Sequence, residues 1–199
     1  LLMSFNKHYK LESKHAFLSA SNYCWLKYDK NKLIDIFNSK QAVERGTRLH
    51  EYAATAIRLK RKQPKTKETV CMHINDAIGF RMEPEVVLKY SLNCFGTADA
   101  ICFRNKTLRI HDLKTGETPA KMDQLMIYAA LFFLCYPEIT LKNVRKIELR
   151  IYQNNEILEE NPEIDEILPV MDKIQRYSRI LEELEENYDE GFDSYGSGS

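Results

Sequence analysis

Asp112-Leu-Lys114 sets a carboxylate and an ammonium two residues apart. On a β-strand that spacing sends both side chains to one face. There the carboxylate can hold a divalent cation, and the ammonium can orient a water or meet developing negative charge. The pattern alone is weak, because ten Asp and eighteen Lys in 199 residues give about one Asp-x-Lys by chance, and an exposed cross-strand ion pair explains it as readily. Asp99 adds weight: it sits in Gly96-Thr-Ala-Asp-Ala100 among small and apolar neighbours, where a carboxylate is costly unless paired, hydrogen-bonded or bound to a metal. His50, in Gly46-Thr-Arg-Leu-His-Glu51, is a further donor, although a lone helical histidine is ordinarily a packed or surface residue. Gln124 and Tyr128 stand one helical turn apart and share a face, which also suits an amide and a phenol at a core edge.

The elements that must position these groups follow from periodicity. Residues 41–60 carry Val43, Leu49, Tyr52, Ala53, Ala56, Ile57 and Leu59 at mostly three- and four-residue separations, an amphipathic helix that delivers His50. Residues 85–92, 94–104 and 107–113 are rich in β-branched and aromatic residues and are divided by Asn93 and Asn105-Lys106. They read as three antiparallel strands. A helix runs from Met122 to Leu134, a fourth strand over 144–152, and an acidic helix over 166–187, with Pro169 in its first turn. The predicted fold is α/β, a mixed four-stranded sheet flanked by helices in the order α-β-β-β-α-β, plus the C-terminal acidic helix. Residues 1–155 form the core, 156–190 the acidic helix, and 191–199 a disordered tail. Leu1-Leu2 and the closing Gly-Ser-Gly-Ser have the look of cloning remnants and are left out of the fold.

The order His, Gly-Thr-Ala-Asp, Asp-x-Lys-Thr-Gly, Gln-x-x-x-Tyr, each on an element of matching type, resembles the PD-(D/E)XK nuclease superfamily. Within it the likeness is to the RecB-like branch of phage recombination exonucleases, CRISPR-associated RecB-like nucleases and the mitochondrial genome-maintenance exonuclease. The similarity covers about residues 15–155 and is strongest in Asp112-Leu-Lys-Thr-Gly116 and Gln124-Leu-Met-Ile-Tyr-Ala129. The segment His15-Ala-Phe-Leu-Ser-Ala-Ser21, followed by Trp25, is similar to an opening found in some members. The resemblance implies a restriction-endonuclease-like core and a metal-dependent DNA exonuclease in recombination, repair or phage DNA processing. It implies His50, Asp99, Asp112 and the Leu113 carbonyl as ligands of Mg²⁺ or Mn²⁺, with Glu85 and Glu51 as supporting or second-metal groups. Lys114 becomes the catalytic lysine, Asp99 and Asp112 the catalytic acids, and Gln124 and Tyr128 the pair that supports the site and contacts DNA beside Thr115. The four-cysteine bracket of the iron–sulfur branch is missing, so no such cluster is expected.

A phosphodiester is anionic and repels hydroxide, so a hydrolase of this kind needs divalent charge. Two aspartates, a carbonyl and waters suit Mg²⁺ or Mn²⁺, and an imidazole tips the preference towards Mn²⁺.

Composition sets outer bounds. The 29 Lys+Arg balance 29 Asp+Glu, yet residues 1–155 hold 26 basic against 15 acidic, a net of +11, and residues 156–190 hold 3 against 13, a net of −10. The basic three-quarters can attract a polyanion. Its densest run, with Arg58, Lys60, Arg61, Lys62, Lys65 and Lys67, reads alone as a solvated loop. Placed directly after the His50 helix, it reads as a DNA contact. The acidic helix is a solvated amphipathic face or a competitor for that basic surface. Five cysteines without a Cys-x-x-Cys pair read as reduced and mostly buried. No apolar run spans a membrane and no secretory leader is legible, so an intracellular, membrane-free setting is expected. DNA is the expected partner, with a homo-oligomer and a single-strand annealing or recombination protein as further partners. The competing functions are an end- or structure-specific endonuclease within a larger complex, and a non-catalytic DNA-binding module on the same fold.

Overall fold

Two helices, three strands, a helix, two strands and a long helix follow one another along the chain. A computed structural model describes residues 16–21 and 23–196, with the side chains of 187–196 excepted; His15 lies outside the described residues. Helix α1 runs Lys30–Arg58, α2 Thr69–Phe80, α3 Asp123–Cys135 and α4 Ile164–Gly196. The strands are β1 Glu83–Ser91, β2 Cys94–Arg104, β3 Thr107–Leu113, β4 Lys146–Gln153 and β5 Glu156–Glu160. The chain divides into two units, Leu1–Arg45 and Gly46–Ser199. In the first, the Trp25 indole donates to the Ser19 carbonyl at 2.9 Å and Phe17 meets Phe37 edge-on at 5.4 Å.

The second unit is built on a mixed sheet in the order β1-β2-β3-β4-β5. Only β3 and β4 are parallel, and parallel neighbours need a crossover, which α3 supplies. Both faces are covered. On one, Leu108 and Ile110 of β3 and Ile147, Leu149 and Ile151 of β4 pack with Leu125 and Leu131 of α3 and Ile167 of α4. On the other, Ala100, Leu113 and Tyr152 pack with Ala53, Ala56 and Ile57 of α1 and Ile74 and Ala77 of α2. The alanines of α1 let its backbone lie close to the sheet. Among the described residues no helix is long and apolar enough to cross a membrane.

The α/β class holds, but the sheet has five strands, not four, and α2 was not expected. Leu49 and Tyr52 of α1, and Leu59 just past its end, placed on its apolar face by periodicity, are 40–55% exposed. The helix buries a narrower alanine-rich stripe instead. Pro169 stands in the second turn of α4, not the first. That helix also continues to Gly196, through the stretch read as a disordered tail. All five cysteines are free, but only Cys71 is buried and Cys24 is exposed.

Candidate functional site

Strand register assembles the acids. The β2–β3 ladder ends at Ala100 opposite His111, so one further step sets Asp99 opposite Asp112. The β1–β2 ladder pairs Pro84 with Ala100 and Val86 with Ala98, which sets Glu85 opposite Asp99. Three carboxylates therefore occupy one row across three neighbouring strands. The ladders are irregular there for two reasons. Asp99 Oδ2 accepts the Leu113 backbone N–H at 2.8 Å, and Glu85 adopts φ 55° in mid-strand, a left-handed conformation that costs a non-glycine residue about 1–3 kcal/mol and clusters at functional sites.

Side chains from α1 and α3 complete the group. His50 Nδ1 lies 3.2 Å from Asp99 Oδ2. Lys114 Nζ lies 2.9 Å from Asp112 Oδ2 and donates to Gln124 Oε1 at 2.6 Å, while Gln124 Nε2 donates to the Tyr128 hydroxyl at 3.2 Å. The Lys114–Asp112 contact is an ion pair, and among the described residues no hydrogen bond reaches the buried Asp112 Oδ2. Two glycines allow these approaches. A Cβ on Gly46 of α1 would stand 2.7 Å from Thr115 Oγ1, and one on Gly96 would stand 2.8 Å from the Tyr128 ring.

The electrostatics separate the two aspartates. Burial pushes both carboxyls up, but the hydrogen bond and charge of His50, with the Leu113 N–H, outweigh it and hold Asp99 below its ordinary value. For Asp112, burial and the charge of Asp99 prevail over Lys114, and its carboxyl is raised. The hydrogen bond to Asp99 raises His50. Burial and Asp99 raise Glu85, against the charges of His50 and Arg58. Neighbouring acids driven in opposite directions are the arrangement from which distinct ligand and proton roles arise. Among the described residues no group of three His, Cys, Asp or Glu side chains stands arranged to hold a metal: His50 faces Asp99, and Lys114 faces Asp112.

The basic run is held in place. Helix α1 closes with Arg61 N–H donating to Ala56 O at 2.8 Å around a left-handed Lys60. Asn75 of α2 then clamps Gln63, accepting its N–H at 2.8 Å and donating to its carbonyl at 3.1 Å, while Tyr52 donates to Gln63 Oε1 at 2.7 Å. Arg58, Lys60, Arg61, Lys62, Lys65 and Lys67 project, exposed, from this clamped backbone. Beyond it, a cleft lined by Glu68, Thr69 and Val70 reaches Lys114 and Thr115. Glu51 is exposed and has no described contact with the acids.

Behind the acids lies a layer that motif reading missed. His73 is 1% and His111 0% exposed; Tyr152 stands 3.2 Å from His111 Nδ1 and donates to Asp76 Oδ2 at 2.7 Å. His73 and Asp76 belong to α2, so no periodic signal announced them. Asn154-Asn155, both at positive φ, is the turn signal that would have revealed β5.

Residues 80–176 match the DUF2800 family, described as a protein of unknown function. The matched stretch takes in Glu85, Asp99, Asp112, Lys114, Gln124 and Tyr128 and leaves out His50 and the basic run. No curated protein and no solved structure matches the chain.

Proposed function

We propose that this chain is a Mg²⁺- or Mn²⁺-dependent deoxyribonuclease of PD-(D/E)XK type, RecB-like, acting at DNA ends. The observation that carries the reading is the meeting of His50, Asp99, Asp112, Lys114, Gln124 and Tyr128, drawn from α1, β2, the end of β3 and α3, around one acid row. A row of three carboxylates repels a phosphodiester unless further positive charge arrives, and carboxylates beside an imidazole are donor types that a hard divalent ion takes; with Asp112 Oδ2 ion-paired to Lys114 and His50 paired to Asp99, both pairs would have to open to admit it. His50, Asp99, Asp112 and the Leu113 carbonyl would hold it, with Glu85 alongside; when bound it screens the phosphate and lowers the pKa of a water.

The protein's own groups do the rest. Gln124 takes Lys114 on its oxygen and Tyr128 on its nitrogen, so the ammonium has one orientation, from which it can align the attacking water or meet charge on the phosphorus oxygens. The clamped basic loop binds flanking phosphates.

End-labelled single- and double-stranded DNA with Mg²⁺ or Mn²⁺ tests the reading. Wild type is expected to release nucleotides, and Asp112→Asn or Lys114→Ala to lose at least about a hundredfold of that rate, with unchanged thermal melting. Full activity in either variant, cleared of contaminating nuclease, refutes the assignment. A second reading, a DNA-binding module without turnover, draws on the lack of a three-ligand group among the described residues. Tight binding without cleavage under any divalent ion would establish it. Cutting of covalently closed circles would replace end-directed action with an endonuclease.

A further inference from the structure

Helix α4 leaves the core before it ends. Its inner side buries Ile167, Ile174 and Ser178, but every described residue from Arg179 to Glu186 is exposed. In this part Tyr177, Ile180, Leu181 and Leu184 are 50, 46, 43 and 50% exposed. At 100° per residue the four fall within one arc of about 100°, a continuous apolar stripe with no covering element among the described residues. A stripe of this kind on a helix marks an interaction surface.

Charge along the helix selects the occupant. Lys173 in line with the stripe and Arg176 on its flank precede its middle, and Glu183 on the same flank follows it, while Arg179, Glu182, Glu185 and Glu186 lie on the core side or the far side of the helix. A second copy laid parallel would oppose like charges. Turned end for end, it brings Lys173 and Arg176 of each copy towards Glu183 of the other.

We propose that α4 is a self-complementary dimerisation helix, whose occupant is the α4 of a second copy of this chain, antiparallel about a two-fold axis near Ile180. Such an interface is isologous, with one patch serving both sides. The apolar stripes interdigitate around Ile180 and Leu181. Arg176 lies on the flank of the stripe shared with Glu183, so the axis brings Arg176 of each copy alongside Glu183 of the other, twice per dimer. Lys173 and Arg176 already hold the Tyr177 ring, at 5.8 and 5.3 Å to its centroid, which braces it at one end of the stripe. Glu185 is engaged by Asn93 at 3.0 Å, anchoring the helix to the β1–β2 turn. The proposal is independent of the nuclease reading.

Sedimentation equilibrium of the full chain tests it. Wild type is expected at about twice its 23.3 kDa, and Leu184→Asp at one times that mass with unchanged circular dichroism. Arg176→Glu and Glu183→Arg are each expected to dissociate the dimer, and the double swap to restore it, because the opposed pair re-forms with its signs exchanged. A general loss of helix would not be rescued in that way. A monomeric wild type, a dimer indifferent to Arg176→Glu and Leu184→Asp, or a double swap that stays monomeric overturns the proposal.

Discussion

His73 is sealed at 1% exposure, and among the described residues neither ring nitrogen has a hydrogen-bond partner. Burial depresses it from the ordinary histidine value to about 4, so the ring is neutral in the folded protein at neutral pH. Between pH 6.5 and about 4 the unfolded chain takes a proton that the folded one refuses. Stability therefore rises with pH across that window: the contribution is complete above the unfolded value and is lost as pH falls. The full depression corresponds to about 3 kcal/mol. Replacing His73 with Leu, of similar bulk and no charge, is expected to remove up to about one proton's worth of slope from unfolding free energy measured by urea titration between about pH 6.5 and about pH 4. The same change should cost little near neutral pH, because the ring donates and accepts nothing there. His111, also pushed well down by burial, keeps its own share of the slope. An unaltered pH dependence in His73→Leu would mean that the ring is not the buried neutral group described.

Gly96 of β2 shows how one element sets another's side chain. The Tyr128 ring occupies the space of the missing Cβ, and Tyr128 in turn receives Gln124, which holds Lys114. Gly96→Ala is expected to destabilise by about 1–3 kcal/mol in a thermal or urea melt. Under the proposed function it should also slow turnover more than it weakens DNA binding, since it displaces the ring that orients Gln124 and leaves the basic loop alone. Strands β2 and β3 were legible to the residue because Asn105-Lys106 takes positive φ at both positions, a turn the residue types announce. Strand β5 was not: all five of its residues are exposed, so it carries no alternation to read. Helix α2 was hidden because His73, Asn75 and Asp76 occupy positions turned towards other elements, Asn75 to clamp the basic loop and Asp76 to receive Tyr152. Their polarity breaks the pattern that marks a helix in isolation.

Over the whole molecule, a net charge of zero conceals two opposed surfaces, the clamped basic run of the α1–α2 connection and the acidic end of α4. If the first binds a nucleic-acid backbone, affinity must fall with salt in proportion to the phosphates neutralised. Replacing Lys62, Lys65 and Lys67 by Ala is expected to lower the slope of log affinity against log salt by about 0.7–0.9 per lysine, measured by fluorescence anisotropy with labelled DNA, with no change in melting temperature. An unchanged slope would separate this loop from the binding surface. The order of the candidate site residues, the strands that carry Asp99 and Asp112, and the asymmetry of charge all came from local residue types, because turn chemistry, alternation and charge act over a few neighbours. What only the tertiary structure decided was proximity: the Glu85–Asp99–Asp112 row, the meeting of His50 with Asp99, the histidines sealed behind the sheet and the bare stripe on α4. Those depend on register between distant strands and on which helix face the sheet happens to cover, and both are settled by burial of the whole core, not by any stretch of chain alone.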